Sequence, residues 1–388
     1  MNAAGVAPPP GRWPATSLPY GDEHEMLRAT ARRFFETECL PHRDAWDEAG
    51  MAPREIWRRA GELGLLCVRL PEEYGGAGGD FLHTIVLIEE QVKLGIVGPM
   101  LSLHSDVVAP YVLHYGTDAQ KTRVLPKMAS GEWIGAVAMT EPGGGSDLRA
   151  MTTRARQDGD HYVISGAKTF ISNGACADII VLAAQTDAGI SLFLVETDLL
   201  PGFSRGLPLD KAGQWSADTT ELFFDEVRVP QSALLGGAEG RGFAQLGERL
   251  AEERLLTGIV AVAAMEQAVV DTIAYTRGRE AFGRSILDFQ NTRFRLAECR
   301  TETVVCRTFM ERCVRKFIAG KLDATEAAML KWYGTEQQNK IIDACLQLHG
   351  GYGYMLEYPI ARMWLDARVA KIYGGANEIM KEIIGRSL

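Results

Sequence analysis

Residues 255–270 read Leu-Leu-Thr-Gly-Ile-Val-Ala-Val-Ala-Ala-Met-Glu-Gln-Ala-Val-Val, and this segment does most to limit the folds open to the chain. It is apolar nearly all round a helical wheel, so a helix built from it must be buried on more than one face. That places it inside a bundle or against a second subunit. A membrane is the other solvent for such a helix, but no uninterrupted run of about 18 apolar residues is present. The neighbouring pattern agrees with a bundle, since long helical periods recur near 241–277, 289–318, 324–349 and 375–385.

The rest of the chain divides by period. Segments 22–38, 53–64, 80–94, 99–115 and 117–130 carry apolar positions at helical spacing, broken at Pro71–Gly76 and Gly98-Pro99. Near 133 the pattern changes to short runs rich in Val, Ile and Phe at 134–139, 161–164, 179–183, 191–195 and 221–228, separated by Gly, Asp and Asn. Runs of that kind predict a small antiparallel β unit. The expectation is an α+β protein in which residues 1–18 are a flexible arm, 19–135 an all-α domain, 136–238 a β-barrel-like domain and 239–388 a helical bundle. A length of 388 residues exceeds one ordinary core, which fits several units.

Charge and cysteine usage remove several function classes. A net charge of −9 argues against nucleic acid and against an anionic membrane as partner, because both need clustered Lys and Arg. The seven cysteines contain no Cys-x-x-Cys pair, the usage of a reducing compartment, and the cytoplasm is the expected location. Cys299, Cys306 and Cys313 fall seven apart and read as packing residues on one helix stripe. The seven histidines do not cluster, so no metal site is expected.

Five segments carry residues suited to ligand chemistry. Ala138-Met-Thr-Glu-Pro-Gly-Gly-Gly-Ser-Asp147 combines a tight turn with glycines that allow close backbone approach and amides able to cradle an anion. Lys168-Thr-Phe-Ile-Ser-Asn-Gly174 either flanks a ring system or forms a β-hairpin at Asn-Gly. Arg277–Gln290 offers arginines for a pyrophosphate, Phe282 for a ring and Gln290 as donor and acceptor, or else is a charged interhelical loop. Gln347-Leu-His-Gly-Gly-Tyr-Gly-Tyr354 suits either a closely approached ligand or a helix C-cap. In Ile372-Tyr-Gly-Gly-Ala-Asn-Glu378, Asn377 is a candidate cap for the last helix, whose N-terminal amides could hold an oxyanion.

Taken together and in this order, these five motifs resemble the acyl-CoA dehydrogenase family over nearly all of residues 22–388, and 357–382 looks most like its long-chain branch. The resemblance implies a helical, a β and a helical-bundle domain, the last a four-helix bundle, assembled as a dimer of dimers and therefore a homotetramer. It implies FAD between the β domain and the bundle. Val137, Ala138, Met139, Thr140 and Ser146 would meet the flavin, and Phe170, Ile171 and Ser172 would flank its ring. Arg279, Phe282, Gln290, Gln347, Leu348, His349, Gly350 and Gly351 would come from the neighbouring subunit to the pyrophosphate and adenine half. Ala376, Asn377 and Glu378 would close over the cofactor. Substrate contacts would fall to Ser146, Ala244, Ala251, Arg254 and Gly375.

The resemblance also bears on the catalytic base. Many members carry a glutamate directly after the Ile-Tyr pair, where this chain has Gly374. The long-chain and isovaleryl branches place it 26 residues before the motif arginine. Counting back 26 from Arg279 reaches Glu253. Glu253 would then remove the α-proton of an acyl-CoA thioester, hydride would pass to flavin N5, and the Gly374 N–H would support the carbonyl. Gly144, Ala376 and Ala244 depart from a common alanine, threonine and bulkier aromatic. Electron-transferring flavoprotein is the implied acceptor. Two other readings are a dehydrogenase of acyl groups on a carrier protein and a non-catalytic assembly protein on the same scaffold.

Overall fold

The computed structural model describes residues 15–388, so most of the expected arm lies outside the described residues. The chain divides into two compact units, one of Tyr20–Glu253 and one of Arg254–Leu388 with the residues up to Pro19. Thr16 and Ser17 are tied to their own unit: the Thr16 hydroxyl donates to Glu311 Oε1 at 2.8 Å and the Ser17 N–H to Oε2 at 3.0 Å.

The first unit opens with α1 (Asp22–Phe34), α2 (Arg43–Ala49), α3 (Arg54–Glu62), α4 (Phe81–Lys93), α5 (Ala109–Tyr115) and α6 (Asp118–Ala129). Local chemistry sets several of these boundaries. Asp80 caps α4 by accepting from the N–H groups of Leu82 and His83, and Thr117 with Gln120 forms a capping box on α6. Wide-turn segments Phe35–Cys39 and Leu103–Val108 occupy the end of the expected 22–38 helix and the middle of the expected 99–115 helix. α2 has only Trp46 buried, too little periodicity to be read from sequence.

One seven-stranded sheet follows: β1 (Gly135–Ala138), β2 (Arg154–Asp158), β3 (His161–Ser172), β4 (Ile179–Thr186), β5 (Gly189–Glu196), β6 (Phe203–Arg205) and β7 (Thr219–Pro230). Its order is β1-β4-β2-β3-β7-β6, with β5 beside β4. Most pairs are antiparallel, but β4 runs parallel to β1 and, through Arg154 opposite Gln185, to β2. The long excursion through β2 and β3 makes this possible, since parallel neighbours need a crossover rather than a tight turn. Asn173-Gly174 therefore closes no hairpin: β3 pairs with β2 and β7, not with β4. β2, Arg-Ala-Arg-Gln-Asp, buries only Ala155 fully, which hid it from the pattern.

α7 (Gly242–Gly278) carries residues of both units, with Glu253 the last of one and Arg254 the first of the other. The second unit continues through the short strands β8 (Glu280–Ala281) and β9 (Arg284–Ser285) to α8 (Gln290–Ile318), α9 (Ala324–His349), α10 (Pro359–Ala367) and α11 (Asn377–Gly385). α9 packs against α8, α10 and α11. By length and composition α7 could cross a membrane, yet 61% of its most apolar window is buried inside the fold. Leu255, Ile259, Val262, Met265 and Val269 are each at most 1% exposed. Cys299, Cys306 and Cys313 share one buried stripe of α8, as their spacing predicts.

Gly258 lets α7 and α9 meet closely. A Cβ there would fall 2.6 Å from Leu330 Cγ, and Leu330 is itself buried. We expect Gly258→Val to lower the stability of the bundle by about 1–3 kcal/mol through overpacking, read as a drop in melting temperature. A surface Gly→Val change on the same bundle would not show it.

Candidate functional site

In the first unit, a buried lysine joins two of the sequence motifs. Lys168 on β3 is fully buried, and its Nζ donates to the Met139 carbonyl at 3.0 Å and to Glu141 Oε1 at 2.9 Å. The Thr169 N–H donates to the Thr140 carbonyl at 2.9 Å. The glycine-rich turn is thereby fastened beside Phe170, Ile171 and Ser172. Burial pushes the Lys168 ammonium down to about 8, partly opposed by Glu141. Glu141 also accepts from the Thr152 hydroxyl and from the N–H groups of Thr152 and Thr153, and these bonds with Lys168 outweigh burial and hold it down to about 2.

Around this clamp the surfaces differ. Phe170 is 67% exposed on a left-handed backbone (φ 58°), whereas the Ile171 side chain is buried in the sheet core. Ala138 is buried, Val137, Met139 and Thr140 half-buried, and Ser146 exposed. A Cβ at Gly143 would meet no atom within 4 Å, so the turn is open there. The Arg149 guanidinium lies 4.9 Å from the Phe243 ring centroid, which brings the turn to the start of α7 beside the exposed Ala244.

Further along α7 in the same unit, neighbouring glutamates turn to different partners. Glu252 is buried and paired with Arg69 and Arg249. Glu253 is half-buried, and its Oε1 accepts a 3.0 Å hydrogen bond from the hydroxyl of Tyr111, which is fully buried on α5. Burial, then the Glu253 carboxylate, pushes the Tyr111 hydroxyl well above 10, so it stays protonated as the donor. Ala251 is half-buried one turn C-terminal to Gly247. Tyr111 was not visible as a functional residue in sequence, because only the fold puts it opposite Glu253.

In the second unit, seven of the predicted residues converge. Arg279, Phe282, Gln347, Leu348, His349, Gly350 and Gly351 line a groove of about 780 Å³, joined by Tyr275, Phe289 and Tyr352 among others. Gln290 is exposed on the first turn of α8 and outside that lining, although Asn291 and Thr292 belong to it. Gly350 is also the C-cap of α9, with φ 59°. His349 stacks on Tyr275 with ring centroids 4.1 Å apart. The Thr272 hydroxyl donates to the Ala268 carbonyl, so His349 Nε2–H donates to Thr272 Oγ1 at 3.2 Å. His349 Nδ1 is then an acceptor, buried without a protein partner, and burial lowers the imidazole to about 4 and keeps it neutral. Exposed aromatics, a guanidinium and an unmet acceptor suit a nucleotide with its base amine and phosphates.

A second buried lysine holds the Gly-Gly turn before α11. Lys331 Nζ donates to the Gly375 carbonyl at 2.7 Å and to Asn377 Oδ1 at 2.9 Å. Asn377 does not cap α11 as expected: it is the first residue of the helix, Ala376 holds the cap position, and the buried amide turns to Lys331, Thr335 and Glu336. Gly374 and Gly375 both have positive φ, and a Cβ at Gly374 would lie 3.4 Å from Thr257 Oγ1. Glu378 is exposed, and Arg254 is buried with its charge facing Lys331.

Elsewhere, His24, Asp80 and His83 place ligand-type atoms within 4.8 Å of one another. The Gly21 N–H donates to His24 Nδ1, which leaves Nε2–H to donate to Asp80. The cluster is reciprocal capping of two helix N-termini, whose dipoles disfavour a cation.

Comparisons with known proteins agree over nearly all of residues 21–388. Models of the N-terminal, middle and C-terminal domains of acyl-CoA dehydrogenase match residues 21–132, 136–227 and 240–388. The chain is 44% identical to the mitochondrial long-chain specific acyl-CoA dehydrogenase of Rattus norvegicus over 376 residues, 95% of this chain and 87% of the relative. An acyl-CoA dehydrogenase from Geobacillus kaustophilus superposes with a TM-score of 0.94 at 46% identity, covering 96% of this chain and 99% of the other. A glutaryl-CoA dehydrogenase from Mycobacterium smegmatis in complex with FADH2 superposes with a TM-score of 0.89 at 31% identity and 95% coverage of each.

The Glu141 environment sets a pH signature. Its folded value of about 2 lies below its ordinary 4.5, so its contribution to stability is full above about 4.5 and lost as pH falls toward about 2. We expect the stability gap between the parent and Glu141→Gln to be wide at neutrality and to narrow over that window, measured by denaturant unfolding.

Proposed function

The chain belongs to the acyl-CoA dehydrogenase family, oxidoreductases acting on CH–CH bonds, and from that premise we propose that it is an FAD enzyme converting a fatty acyl-CoA to its trans-2-enoyl-CoA. The observation that carries the proposal is Glu253, a half-buried carboxylate that accepts a hydrogen bond from a buried tyrosine hydroxyl, in a chain whose alternative base position is Gly374. The long-chain class follows the rat relative.

When bound, FAD supplies a hydride acceptor, its N5, for the hydrogen leaving the β-carbon. The residues to hold it are the turn from Val137 to Ser146 with Phe170 to Ser172, and, from an adjoining subunit, the Arg279–His349 groove. His349 Nδ1 supports this use of the groove, as a buried acceptor in need of a donor. Glu253 takes the α-proton. An α-proton of a thioester is far less acidic than a carboxylic acid in water, so the carbonyl oxygen needs preorganised donors, each worth about 3–4 kcal/mol in a dry site. The Gly374 N–H serves as one donor, and Lys331 steadies it through the Gly375 carbonyl and Asn377. A tetramer, electron-transferring flavoprotein as acceptor and a cytoplasmic location complete the reading. The seven unpaired cysteines support a reducing compartment.

Anaerobic titration with medium- and long-chain acyl-CoAs tests the assignment. Parent protein should bleach its flavin band, and Glu253→Gln should stay folded and yellow while bleaching about 10²–10⁴-fold more slowly. Flavin untouched by every acyl-CoA, or a Glu253→Gln protein that bleaches at the parent rate, overturns it. Bleaching by an acyl carrier protein thioester alone would replace CoA with a protein carrier.

A further inference from the structure

Resting on Glu253 as the base, we infer that Tyr111 is its positioning residue: the α5 hydroxyl fixes the direction of the Glu253 carboxylate and favours its ionised form. Tyr111 has no exposed surface, and a hydroxyl buried without a partner is costly, so its 3.0 Å bond to Glu253 Oε1 satisfies the donor as well as the acceptor. An O–H donated to a carboxylate is charge-assisted and directional. By claiming one carboxylate oxygen it sets where the other presents its lone pairs.

The helix under Glu253 is held against rotation by the preceding residue. Glu252 is clamped by Arg249 one turn earlier and by Arg69, whose Nε also faces Asp106 Oδ1 at 3.6 Å. On the other side, Tyr115 of α5 donates to Glu248 Oε2 at 2.7 Å. The charged and titratable groups on the elements packed here are thus Arg69, Asp106, Tyr111, Tyr115, Arg249 and Glu252, with His114 and Glu248 at the margin. Both arginines pair with Glu252, and the Arg249 charge also acts on Glu253. Tyr111 is in direct hydrogen bond with Glu253.

A bond to the ionised carboxylate favours that form, so its removal raises the pH at which Glu253 becomes a base. Tyr111→Phe keeps the ring and deletes the donor. The rate of anaerobic flavin bleaching at saturating acyl-CoA, measured against pH, should have its acid limb displaced upward by about one pH unit. Its plateau should fall about tenfold from lost orientation, with bound flavin and melting temperature close to the parent. Tyr115→Phe, which removes the neighbouring hydroxyl from Glu248, should leave the limb in place. A Tyr111→Phe profile that superposes on the parent overturns the inference, and so does an equal displacement in Tyr115→Phe, which would make the effect one of helix packing. Glu253→Gln separates the two levels: loss of bleaching there with an unmoved Tyr111→Phe limb refutes only the role of Tyr111, whereas retained bleaching refutes the base.

Discussion

The burial demand of α7 is the constraint on which the second unit depends. A helix with Leu255, Ile259, Val262, Met265 and Val269 all sealed from water cannot lie on a surface, so α8 and α9 are needed as long partners. Gly258 sets how close they come, since Leu330 occupies the space a side chain would take. The same helix carries Glu253 toward its N-terminal end, where the apolar run gives way to Glu252, Arg249 and Glu248. A long rigid element that is packed for most of its length holds a carboxylate more firmly than a loop can.

Buried lysines recur as fasteners of two of the sequence motifs. Lys168 reaches the Met139 carbonyl and Lys331 the Gly375 carbonyl, and in each case a second acceptor, Glu141 or Asn377, completes the bond set. Both segments are glycine-rich and carry few side chains to anchor them. A single ammonium, desolvated and held at about 8 in both places, substitutes for that missing packing. Neither lysine touches the open faces of the segments, so fastening and exposure are separated in space.

Periodicity made the long elements legible and composition hid the short ones. The 324–349 helix is found where the apolar period puts it, and α7 and α8 agree within a residue or two. α2 and β2 escaped because each buries a single large or small apolar residue. The Asn173-Gly174 signal pointed to a hairpin that the sheet order rules out, because turn chemistry is local and strand order is not. The groove residues of the second unit lie largely in segments legible as motifs, whereas Tyr275 there and Tyr111 in the first unit were not. Nothing in their local sequence distinguishes them from core aromatics; they gain their places only when helices distant in the chain come together. Asn377 shows the opposite failure, a good cap residue drawn inward by a buried lysine that local sequence does not reveal.

The cysteine stripe of α8 has a consequence for chemical reactivity. Burial pushes the Cys306 and Cys313 thiols up to about 12, so at neutral pH almost none of either is thiolate, the form that reacts with alkylating agents. Their modification must wait until the bundle parts and water reaches them. The rate at which these sulfurs become accessible is therefore a clock for the opening of the helical unit, set by its packing.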